Sequence, residues 1–215
     1  MVKIKKIIFF DFDGVIADSF GIAFEIGKQK NTGIKSDDDF RNLFNGNIND
    51  WKKDFYGSIE EIKKIDDEFF ALIAPKMSEV NLFPDMEKVI KELAKSHGLV
   101  VVSSTRSDLV NDFMERNGIL QYFDEFGGDK IVHTNKTERI KEVFNKYGVG
   151  PDNCVFITDT LGDMREAANC GVSSIGVSWG YQKKENFFAA KPYAIVEKPT
   201  ELLSAVLEYF KKAEV

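Results

Sequence analysis

The chain has 215 residues, 43% of them hydrophobic and 30% charged, with a net charge of -6. That length and balance suit a globular fold with an ordinary core and room for an insertion. The acidic excess argues against nucleic acid or an anionic membrane surface as a general partner, because both require a positive face. Its two cysteines, Cys154 in an apolar run and Cys170 near a helix end, have neither the number of a disulfide framework nor metal-ligand spacing. They suit a reducing compartment. No signal-like start and no apolar run of membrane-spanning length is present, so a cytoplasmic location is expected.

In chain order, Ile7-Ile8-Phe9-Phe10 is a short apolar run of the kind that forms a strand covered on both faces. It runs straight into Asp11-Phe12-Asp13-Gly14. Strand side chains alternate, so Asp11 and Asp13 would share a face, and Gly14 allows a sharp turn just beyond. Taken alone, this reads more readily as a solvated Asp-Gly turn than as a site. The region from Asp18 to Phe83 carries helical periodicity without strand signals: Phe20, Ala23, Phe24 and Gly27 mark one stripe, and Ile62, Ile65, Phe69, Leu72 and Ile73 another. A polar, turn-rich piece from Asn45 to Asp50 separates them. The reading is an α-helical cap over 18–82, inserted into an α/β core made of 1–17 and 83–215.

From Leu82 onward strand-like and helix-like segments alternate, the pattern of a Rossmann-like parallel sheet flanked by helices. Asp85 is placed to cap a helix reaching Ser96, with Gly98 just past its end. Leu99 to Val102 is the second buried strand and ends in Ser103-Ser104-Thr105. A helix from Asp108 to Asn117 follows, then a short strand within Phe123 to Gly128, a helix from Lys136 to Tyr147 and a strand from Cys154 to Ile157 ending at Asp159. A helix from Met164 to Cys170, strands at Ser174 to Val177 and Tyr193 to Val196, and a helix from Thr200 to Lys212 complete the chain.

Three expected strands therefore end in polar groups: Asp11 with Asp13, Ser103 with Ser104, and Asp159 with Asp163. In a parallel sheet these ends share one edge, where ligands of open α/β folds bind. Each has a bland explanation singly, such as a helix cap for Ser103, a helix-start acid for Asp163 or a solvated Lys136. Their joint occurrence in this order is much less easily bland.

That order resembles the haloacid dehalogenase-like superfamily, and within it the phosphoglycolate phosphatase-like branch. The matching pieces are Asp-Phe-Asp-Gly-Val at 11–15, Val-Val-Ser-Ser at 101–104, Lys136, and Ile-Thr-Asp-Thr-Leu-Gly-Asp at 157–163. The resemblance implies a phosphatase in which Asp11 attacks a phosphate monoester and forms an aspartyl-phosphate, while Asp13 protonates the leaving alcohol and later takes a proton from water. It implies Mg2+, held by Asp11, the Asp13 carbonyl, Asp159 and Asp163. Lys136 would neutralise charge, and Ser103, the Ser104 amide and Gly14 would hold the phosphate. Lys130 competes with Lys136 for the lysine role, and Val15 and Thr158 depart from the usual Thr and Gly.

Asp13 separates a phosphatase from dehalogenating members, which have no acid there. A phosphosugar mutase would keep the whole core set and differ in the cap. A phosphonate-cleaving member would need a cap lysine such as Lys28, Lys30, Lys52 or Lys53. Outside enzymes, a phosphoacceptor signalling domain is about half this size and lacks the insertion, and a catalytically dead binding protein fits poorly with intact acids. The loop Asn45 to Asn49, with Asn47 at its centre, is expected to face a small phosphorylated metabolite. The chain is expected to be a monomer or homodimer.

Overall fold

A computed structural model describes residues 6–30, 33–46, 48–127 and 136–212. Six strands, β1 (Ile7–Phe10), β2 (Gly98–Val102), β3 (Glu125–Gly127), β4 (Cys154–Thr158), β5 (Ser173–Val177) and β6 (Ala194–Val196), form one sheet in the order β3-β2-β1-β4-β5-β6. Every neighbouring pair is parallel. β1 is central, with Phe10 opposite Val101 of β2 on one side and Ile157 of β4 on the other.

The apolar runs are continuous because both faces of the sheet are covered. Ile8, Phe10, Val101 and Ile157 pack against α5 (Met86–Ala94), α6 (Ser107–Arg116) and α9 (Glu201–Lys212), through residues such as Ile90, Phe113 and Val206. Ile7, Phe9, Val100 and Phe156 face the other way, onto Ile140 and Val143 of α7 (Lys136–Tyr147) and Ala167 of α8 (Leu161–Asn169). Alternate residues of one strand thus feed two separate cores.

Between β1 and α5 the chain is helical: α1 (Phe20–Lys30), α2 (Asp37–Asn42), α3 (Ile48–Tyr56) and α4 (Ile59–Ile73). Ser36 and Asp39 form a reciprocal capping box at the start of α2, and the Ser58 hydroxyl caps α4. The outgoing and returning segments run side by side: the Asp18 amide donates to the Asn81 carbonyl at 2.9 Å and the Phe83 amide to the Ile16 carbonyl at 3.2 Å. No described helix is long and apolar enough to cross a membrane.

Several local expectations are corrected. Asp85 precedes α5 in the left-handed region (φ 64°) and makes no side-chain cap, and the helix stops at Ala94 rather than Ser96. Gly98 is the first residue of β2, not a helix terminator. α8 begins at Leu161, three residues earlier than its apolar pattern implied, because the Thr160 hydroxyl accepts from the Asp163 amide and caps it. Within the polar stretch at 45–50, α3 already starts at Ile48. Leu72, assigned to the buried stripe, is 37% exposed.

Candidate active site

The C-terminal ends of β1, β2 and β4 lie adjacent because those strands are neighbours in a parallel sheet, and this edge gathers residues separated by more than a hundred positions. Lys136, the first residue of α7, reaches over β4 and places Nζ 2.8 Å from Asp11 Oδ1 and 2.8 Å from Asp163 Oδ2. Asp163 is held from a second side by the Thr158 hydroxyl, which donates at 2.9 Å. The threonine that departs from the resembled pattern thus has a partner within the site. Lys130 lies outside the described residues, as does Asn47.

Asp11, Asp159 and Asp163 each offer a carboxylate oxygen within 4.8 Å of the others. Asp159 is fully buried. Its Oδ2 accepts from the Tyr181 amide at 2.6 Å, while Oδ1 has no hydrogen-bond partner. A buried carboxylate oxygen left unpaired is costly. Three carboxyl groups crowd around one ammonium, and all the donors are hard oxygens. Both facts fit a divalent cation such as Mg2+.

The protonation tendencies follow from the same crowding. Burial raises Asp11 well above the usual carboxylate range, with Lys136 pulling down and Asp163 pushing up. Burial, with Asp163 adding to it, lifts Asp159 to about 7 despite the Tyr181 amide. Burial also works against ionised Asp163, but Lys136 and the surrounding donors outweigh it and hold that carboxyl low. Lys136 is kept firmly charged by Asp11 and Asp163, which outweigh its own burial.

Asp13 stands apart from this cluster. Its Oδ1 accepts from the Ser19 hydroxyl at 2.6 Å and its Oδ2 from the Thr105 hydroxyl at 2.5 Å. Burial raises its pKa and the two hydroxyls moderate the rise. Neither Ser19 nor the Thr105 contact was signalled by sequence, because a single hydroxyl beside an acid has no spacing rule. Gly14 has φ of 75°, and a Cβ there would lie 2.0 Å from Asp159 Oδ2, so the turn demands glycine on both counts. Ser103 is buried, its Oγ accepting from the Thr105 amide at 3.0 Å, and it lines the site with Ser104.

The model of the haloacid dehalogenase-like hydrolase family matches residues 8–177. The chain belongs to that family. Among curated proteins, it is 27% identical over 150 residues to phosphoglycolate phosphatase of Vibrio vulnificus, a match covering 68% of this chain and 65% of the relative, just under two thirds of its length. Among solved structures, it resembles a predicted phosphatase from Clostridium acetobutylicum (TM-score 0.81, 22% identity, 96% of this chain and 100% of that one). It also resembles a haloacid dehalogenase-like hydrolase from Streptococcus pneumoniae (TM-score 0.75, 23% identity, 93% and 97%).

In this family member the helical insertion sits closed on the core. Gln182, 1% exposed, takes the Leu161 amide on Oε1 at 2.6 Å and donates through Nε2 to the Arg41 carbonyl at 3.2 Å and Asn45 Oδ1 at 2.7 Å. Arg165 donates to the Asn45 carbonyl at 2.7 Å, and Arg41 donates to the carbonyls of Gly180 and Tyr181. Asn45, the start of the loop expected to face substrate, is thus engaged with the core. Beneath the insertion lies a cavity of about 220 Å³, with Asp11, Asp13, Ser103 and Lys136 at one end and residues of α1, α3 and α4 at the other.

Proposed function

We propose that this chain is a Mg2+-dependent phosphatase that hydrolyses a small phosphorylated metabolite through an aspartyl-phosphate on Asp11, resembling phosphoglycolate phosphatases. The observation that carries this reading is the difference in surroundings between two strand-end acids. Asp11 is held by Lys136 within the acidic cluster, and Asp13 is held by two hydroxyls outside it.

Asp11 would attack phosphorus in line as the ester P–O bond breaks, and Asp13 would give its proton to the departing alkoxide. In the second half Asp13 would take a proton from water as that water attacks phosphorus and the Asp11–phosphorus link breaks. Burial that raises Asp13 while Ser19 and Thr105 steady its carboxylate supports a group able to hold and release a proton. Lys136, the Ser103 hydroxyl and the Ser104 amide would hold phosphate oxygens, with Gly14 letting the backbone pass close. Asp11, Asp159, Asp163 and the Asp13 carbonyl would hold Mg2+, which supplies charge neutralisation between carboxylate and phosphate. Residues 18–82 would act as the cap and 1–17 with 83–215 as the core, in a cytoplasmic enzyme.

Release of p-nitrophenol from p-nitrophenyl phosphate tests the reading. Turnover should require Mg2+ and fall at least about 10³-fold in Asp11→Asn. Turnover indifferent to both would overturn it.

A further inference from the structure

The cavity is two-sided, and its far side carries no uncommitted positive charge among the described residues. Its wall there is built mainly from Trp51, Ile65, Phe69, Phe70 and Ile73, with Tyr56 as the neutral polar member. Two cations reach it. Lys52 is paired with Asp66 at 2.6 Å and Lys30 with Glu68 at 2.7 Å. Asp66 also lines the cavity, so the Lys52 pair presents a donor and an acceptor with no net charge.

A substrate with a second anion would have to bury it against this apolar wall or break one of those pairs. An unpaired buried charge is heavily penalised. A polyhydroxylated body would leave most of its hydroxyls facing aromatic and aliphatic side chains, with only the Lys52–Asp66 pair and Tyr56 to meet them. An uncharged apolar body meets neither cost, and rings suit a wall of rings. At about 220 Å³ the cavity is smaller than the ~300–1,000 Å³ of sites for drug-sized ligands, so the body is a single ring or a short branched chain.

Resting on the phosphatase reading, we propose that the substrate class is a phosphate monoester of an uncharged, largely apolar alcohol of single-ring size, selected by Phe69, Phe70 and Trp51. The site discriminates against esters bearing a second anion such as phosphoglycolate. The neutral Lys52–Asp66 pair is the element that rejects that anion.

The test compares kcat/KM for benzyl phosphate, phosphoglycolate and glucose 6-phosphate with Mg2+. Benzyl phosphate should exceed the other two by at least about tenfold. In Phe69→Ala its KM should rise about fivefold or more while that of phosphoglycolate barely moves, and Phe69→Leu should recover most of the loss. In Asp66→Asn, which leaves the Lys52 charge unopposed, the ratio of phosphoglycolate to benzyl phosphate kcat/KM should rise about fivefold. Thermal unfolding of each variant separates loss of fold from loss of selectivity. Equal or better turnover of phosphoglycolate by the unaltered enzyme would overturn the substrate inference and leave the phosphatase reading standing. No phosphate release from any ester, p-nitrophenyl phosphate included, would overturn the phosphatase reading itself.

Discussion

Asp13 has each carboxylate oxygen held by a hydroxyl, from Ser19 at 2.6 Å and Thr105 at 2.5 Å. Ser19 is fully buried and its hydroxyl also lies 3.0 Å from that of Tyr181, so the Asp13 rotamer is fixed by a chain of side chains reaching across the site. Hydrogen bonds to a charged group are worth about 1.5–3 kcal/mol, enough to set which way a carboxyl points. Thr105→Val keeps the shape and removes one of these donors. Its kcat on p-nitrophenyl phosphate is expected to fall at least about tenfold with KM nearly unchanged. Steady-state kinetics would instead assign Thr105 to substrate binding if KM rose and kcat held.

The cap and core meet at the first turn of α8. Gly162 there would, as alanine, place its Cβ 2.2 Å from the Gly46 carbonyl oxygen. Replacing a helical glycine by alanine ordinarily stabilises by about 0.5–1 kcal/mol, but here the gain is opposed by a backbone clash that side-chain adjustment cannot relieve. The chain can escape that clash by letting the cap loop move away, which loosens closure without unfolding α8. Gly162→Ala is therefore expected to leave the unfolding midpoint near or above its normal value while raising KM several-fold. A lowered midpoint with unchanged KM would show that the helix, not the cap contact, absorbs the strain. Gln182→Ala, which cuts two core–cap hydrogen bonds and one within the core, should move KM the same way.

Across the whole molecule, the three crowded carboxyl groups at the strand ends would link stability to a divalent cation held there. A ligand at about 100 times its Kd stabilises the native state by about 2.7 kcal/mol. For a chain of this size, that corresponds to a rise in unfolding midpoint of roughly 5–10 °C. Mg2+ added at constant ionic strength should give such a rise by calorimetry. Asp159→Asn, which alters the acid with the unpartnered buried oxygen, should abolish most of it. A rise that survived this substitution would place the metal elsewhere.

The amino-acid sequence by itself determined the strands and their order of use, because a buried parallel strand is an unbroken apolar run and each functional run ends in its own acids or hydroxyls. Ile7 to Asp13, Val101 to Ser104 and Cys154 to Asp159 were legible for that reason, whereas Lys136 stood out only through the family resemblance, since a lysine at a helix start is by itself ordinarily solvated. Only the tertiary structure decided what depends on packing between distant segments. Thr105 meets Asp13 across 92 positions and Tyr181 meets Ser19 across 162, and neither separation follows any local period. The Gln182 contacts with the cap and the pairing of Lys52 with Asp66 are of the same kind. Local chemistry therefore announced the acidic end of the site, while the character of the opposite wall emerged only once helices from the insertion were folded over it.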